Sequence, residues 1–273
     1  KDIFLTFTEE SEDGISPMAP TYVSAEYGGS LTIGTSRTGT VYVADSVEAY
    51  CYPFDDGGSD IAPSTVTMDG ASITVDKGVV ADGMYATVTI GGAGVTQTLT
   101  SDLTAENYGV LVATLSGAYT GDVLAYGGPW EEEESYIVPG GTLTLTAGSA
   151  TGNLTSTGAG STLTATLSGA LTGNATAEDS GELTLTVGTV TGNLATSESG
   201  VLTATVASLF NGMTTDDADT MTLNLNSGAT WNLTDSSTVS ALNADGAQVN
   251  LIDGTLGQTL TTDTFAGSGA TVY

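Results

Sequence analysis

The 273-residue chain has no histidine, three basic residues (Lys1, Arg37 and Lys77) and one cysteine. Without histidine there is no Ser-His-Asp or Cys-His nucleophile system and no imidazole metal ligand. Three cations against 32 acidic residues leave a formal net charge of −29. That balance lacks the basic footprint that phosphate recognition needs, so nucleic acid is excluded as a partner and anionic membrane surfaces are disfavoured. Cys51 has no partner for an internal disulfide and reads as a small buried hydrophobe. No apolar run is long enough to span a membrane, so membrane insertion is not expected. Hydrophobic residues nevertheless make up 40% of the chain, which is not a disordered composition.

What the chain does have is a degenerate repeat of about twenty residues, a period that signals stacked rungs. From Gly141 onward it reads TLTLTAGSATGN, TLTATLSGALTGN, ELTLTVGTVTGN and VLTATVASLFNG. The leading leucines are Leu143, Leu163, Leu183 and Leu202, and the copies close on Gly152-Asn153, Gly173-Asn174, Gly192-Asn193 and the reversed Asn211-Gly212. A further copy, VLVATLSGAYTGD, spans Val110 to Asp122. Alternation of Leu or Val with Thr has period two, the strand signature, with the apolar side inward and β-branched threonine outward. Gly, Asn, Ser and Asp supply the turns, and Asn153 and Asn174, which also head glycosylation triplets, are read as turn residues. One such rung has a single apolar face and is stable only on neighbours, so the expected fold is all-β, a parallel β-helix or β-solenoid. An antiparallel sandwich has similar strand spacing but no reason to repeat its sequence.

Residues 1–66 look different and are expected to form an N-terminal β region, either a cap or a donor-strand module, ahead of a solenoid over 67–273. A terminal rung left bare is an exposed sheet edge, which is why solenoids carry caps. The strand-like segment Lys1, Asp2, Ile3, Phe4, Leu5, Thr6, Phe7 and Thr8 is the candidate assembly strand. Residues 127–140 read as a loop inserted into the array, since Trp130 followed by Glu131, Glu132, Glu133 and Glu134 cannot be a core strand. Loops leaving a repeat array are where binding is commonly placed, so this is the candidate binding loop.

Gly228-Ala229-Thr230-Trp231-Asn232-Leu233, then Ser237-Thr238-Val239, then Val249-Asn250-Leu251, resemble successive rungs of bacterial autotransporter passengers, the pertactin-like class of type V secretion. The resemblance is specific over about thirty residues and loose over the back half. It implies a right-handed parallel β-helix on a bacterial surface, commonly an adhesin or stalk. The membrane β-barrel that accompanies such passengers is not among these residues.

Polysaccharide-active β-helix enzymes resemble this chain in coil type, but they work with clustered aspartates, calcium and a basic residue, and no basic residue lies in the regular repeats. The expectation is therefore no enzymatic activity, although a carboxylate pair within Asp216, Asp217 and Asp219 is of a kind that serves glycoside hydrolysis. Calcium is the one ligand the composition suggests. Asp55, Asp56 and Asp60, and again Asp216, Asp217 and Asp219, offer the hard oxygen ligands it takes. The resulting expectation is a subunit of an extracellular bacterial surface fibre, partnered by copies of itself. The alternative is a monomeric adhesin that grips a host or neighbouring cell surface.

Overall fold

A computed structural model describes residues 3–5, 22–34, 39–52, 62–91, 96–129, 137–218, 220–251 and 258–273. Regular structure among them is strand, wound as a parallel β-solenoid of about ten turns. Each full turn visits three faces. In one turn Leu103–Glu106 lies on face three, Val110–Thr114 on face one and Ala118–Thr120 on face two, and Val123–Tyr126 then begins the next turn on face three. Equivalent strands pair in register with the turns before and after, as Leu103 does with both Val79 and Val123.

The period-two pattern dictates which side chains enter the coil. On face one Leu111, Leu143, Leu163, Leu183, Leu202 and Met221 stack as a ladder, all buried. Beside it Ala113, Leu145, Ala165, Leu185, Ala204 and Leu223 alternate small with large, which suits a narrow interior. Face two carries the bulk: Leu99, Tyr119, Ala150, Leu171, Val190, Phe210 and Trp231. There the rings of Phe210 and Trp231 stack at 5.3 Å, and the Trp231 indole N–H donates to the Gly212 carbonyl at 3.0 Å. On face three Ala25, Ala49, Ala81, Ala105 and Ala125 stack against one corner, so the backbone there approaches closely.

The corner from face two to face three explains the Gly-Asn pairs. Gly152, Gly173 and Gly192 have φ of +134°, +143° and +143°, and a Cβ on Gly173 would lie 2.0 Å from the Gly152 carbonyl oxygen. Only glycine fits a position both left-handed and pressed onto the rung beneath. The next residue forms a ladder along the axis. Asp102 Oδ1 accepts the N–H of Asp122, Asp122 that of Asn153, Asn153 that of Asn174, Asn174 that of Asn193, and Asn193 that of Met213, at 2.7–3.2 Å. The corner from face three to face one is a tight turn with both central residues left-handed, as at Asn107-Tyr108 and Asp179-Ser180, closed by Gly109 N–H to Glu106 O and Gly181 N–H to Glu178 O.

The expected boundary at residue 66 falls inside the strand Ser64–Met68, and the sheets run through it unbroken. Tyr22–Glu26, Ser30–Ile33 and Thr40–Val43 are rungs of the same coil. They look unlike repeats because their turns are longer: 35 residues separate the stacked Ser30 and Thr65, and 26 the stacked Ser72 and Thr98, against 19 to 21 in the regular region. Of the segment expected to be an inserted loop, residues 130–136 lie outside the described residues. The residues flanking them, Gly128–Pro129 and Ile137–Val138, form an antiparallel pair before Thr142–Ala147 resumes face one.

Candidate functional site

Of the residues singled out from sequence, Asp55, Asp56, Asp60, Asp219, Trp130 and Glu131 to Glu134 lie outside the described residues, as do Lys1, Asp2, Thr6, Phe7 and Thr8. Ile3–Leu5 is a strand that pairs in parallel with Val41–Val43 of the same chain, continuing face two.

Asp216 and Asp217 sit on opposite sides of their segment, Asp216 buried and Asp217 exposed. Asp216 occupies the inward position above Ala177 and Thr196, at the last strand of face three. Its Oδ1 accepts from the Thr196 hydroxyl at 2.5 Å and the Thr220 N–H at 3.0 Å. Its Oδ2 accepts from the N–H groups of Met221 and Ser240, at 3.1 and 2.7 Å, and from the Ser240 hydroxyl. These donors occupy the lone pairs that a cation would need. Burial works against the charge, but the hydrogen bonds outweigh it and hold the carboxyl below the ordinary aspartate range. The edge of the same strand is closed by side chains too: Thr214 N–H donates to Ser237 Oγ and Asp216 N–H to Thr238 Oγ1. Asp216 is thus a plug ending face three, a role its acidic-turn sequence, TTDDADT, does not reveal.

Sequence reasoning missed a second arrangement, which only the register brings together. On the outer side of face three Glu26, Tyr50, Asp82, Glu106 and Tyr126 are successive partners across five turns, with Glu48 two residues before Tyr50. Tyr27 packs edge-on against Tyr50 with ring centroids 5.8 Å apart, and Tyr50 tilts against Tyr52 at 5.0 Å. The Tyr52 hydroxyl donates to Asp82 Oδ1 at 2.5 Å, and Asn107 Nδ2 donates to the same oxygen at 2.8 Å. Asp82 Oδ1 therefore accepts from two side-chain donors. Its neighbour Glu106 is pushed up to about 7, by burial first and then by the charges of Asp82 and Glu48. Glu48 is raised by burial, then by Asp82 and Glu26. Tyr27, Met84, Tyr85, Tyr108 and Tyr126 are exposed around this cluster.

Among the described residues no group of three or more Cys, Asp or Glu side chains is arranged to hold a metal ion. No helix there is long and apolar enough to cross a membrane.

The fold thus defines a parallel β-solenoid. Comparison with protein families, curated proteins and solved structures gives no match. The coil anticipated from the passenger resemblance is present, and membership of that family is not shown.

Proposed function

We propose that this protein is a non-enzymatic structural rod outside the cell, a subunit of a bacterial surface fibre that grows by stacking copies end to end. The observation that carries the reading is the continuous parallel stacking itself. Each turn presents to the next a row of N–H and C=O groups and an apolar interior, so joining two copies asks for no chemistry that the coil does not already use along its length.

The rung formed by Leu260–Ala266 and Thr271–Val272 offers such a surface. Phe265 stacks on Leu242 and Val272 on Val249, both buried, yet Phe265 is 48% and Val272 55% exposed. A charge of −29 per copy opposes such assembly, which makes screening salt or bridging calcium part of the proposal. Sedimentation of the purified chain tests it. Phe265→Asp and Val272→Asp are expected to leave the coil folded and abolish large assemblies. Assembly unchanged in both variants would refute end-to-end stacking through this rung. The alternative, a monomeric adhesin, draws on the antiparallel pair of Gly128–Pro129 with Ile137–Val138, which interrupts the otherwise parallel strand pairing beside the Trp130 segment.

A further inference from the structure

At the other end of the rod the outer side of face three carries a surface that the stacking of turns does not explain. Outward positions in the regular region are mostly threonine, whereas here tyrosines and carboxylates share the face over the first five turns. The set is ordered: Tyr27, Tyr50 and Tyr52 touch in sequence, and Tyr52 and Asn107 converge on Asp82. Among the described residues no cation pairs with its carboxylates. Lys77, the one basic residue among those described, is engaged 3.0 Å from Asp45 at the opposite edge of the face.

We propose that this face is a docking surface for a cationic polypeptide segment, whose arginine or lysine side chains stack on Tyr27, Tyr50 and Tyr108 and pair with Glu48, Asp82 and Glu106. Tyrosine rings with adjacent carboxylates answer both halves of an arginine side chain, the planar cation and its hydrogen-bond donors. Charge complementarity selects this occupant over a neutral sugar, which stacks on tyrosine but leaves the stacked carboxylates uncompensated. The titratable groups facing Glu106 are Asp82 on the preceding turn, Tyr126 on the following one, and Glu48 and Tyr52 beyond Asp82. A bound cation draws the proton off Glu106, so docking releases protons near neutral pH and tightens as pH rises through about 7. The surface is remote from the Phe265 rung, and the inference is independent of end-to-end stacking.

The test is titration calorimetry of the whole chain with an oligoarginine peptide at about 150 mM salt, where diffuse attraction is screened, in two buffers of different ionisation enthalpy. Two double variants probe the surface: Glu48→Gln with Glu106→Gln, and Tyr27→Asn with Tyr108→Asn. Asparagine tolerates the left-handed backbone at Tyr27 and Tyr108. A control removes two carboxylates elsewhere, Glu178→Gln with Glu198→Gln. Expected are proton release by the parent chain, lost when Glu106 is replaced, and roughly tenfold weaker binding in each surface variant, with the control unchanged. Equal weakening in the control would reduce the effect to net charge and overturn the proposal. So would binding of a neutral oligosaccharide or of calcium at this face in place of the peptide.

Discussion

The corner between faces two and three is built in two ways along one rod. In the later turns it is Gly152, Gly173 and Gly192 pressed onto the rung below, followed by the asparagine ladder. In the early turns the same position holds Asp45 and Lys77, joined by an ion pair, with Gly78 in the ladder column. A Cβ on Gly78 would meet nothing closer than 3.5 Å. Where rungs are near twenty residues the corner itself carries the stacking, and sequence is confined to Gly and Asn or Asp. Where rungs are longer the corner is open, sequence is free, and the outer face acquires tyrosines and carboxylates.

The largest expected effect breaks the later turns at their plug. Asp216→Ala strands the N–H groups of Thr220 and Ser240, leaves Met221 N–H only Ser240 Oγ at 3.2 Å, and is expected to destabilise the C-terminal turns by about 3 kcal/mol, read from the urea midpoint. Asp216→Asn is expected to cost less, since one carboxamide oxygen still accepts. Next comes the corner. Gly173→Ala places a methyl 2.0 Å from a backbone oxygen and should cost about 3 kcal/mol, because two stacked rungs must part. Gly78→Ala meets only the backbone strain of its φ of +108°, about 1 kcal/mol. Equal losses at the two glycines would erase the contrast between the two halves. Asn174→Ala, which removes one rung of the ladder, should cost about 1 kcal/mol.

Acidity sharpens the same contrast because the two halves respond with opposite sign. Glu106 has its folded pKa raised from 4.5 to about 7. The folded chain then binds more protons than the unfolded one, and the early turns lose stability as pH rises from about 4.5 to 7. Asp216 has its folded pKa lowered from 3.8. Its contribution is present above that value and is lost as pH falls through the lower folded one. Hydrogen exchange mapped by segment should show the early turns better protected at pH 5 than at pH 8, and the turns around Asp216 opening first in stronger acid. The smallest effect is expected at Lys77→Met, because Lys77 is 59% exposed and added salt already screens its pair with Asp45. A clear midpoint shift at Lys77 would mean that the early corner is held by charge.

The parallel coil was legible because Leu143, Leu163, Leu183 and Leu202 and their Gly-Asn corners recur at nearly fixed spacing. Tyr22–Glu26, Ser30–Ile33, Thr40–Val43 and Ser46–Tyr50 belong to the same coil but do not read as repeats, since the spacing between stacked strands varies and no fixed period survives. The asparagines were recognised as turn residues. Their hydrogen bonding to the next turn was not legible, because it depends on stacking. Asp216 and Asp217 look equivalent in sequence, and only the inward or outward alternation separates plug from surface. Tyr50, Asp82 and Glu106 lie far apart in the chain and meet only through parallel register.

The most direct test of the account is negative-stain electron microscopy of the purified chain, with millimolar calcium and with chelator. Long filaments of constant width, shortened or dissolved by chelator, are the result expected of a rod that stacks on itself with its charge bridged. Short separate rods under both conditions would contradict the fibre reading.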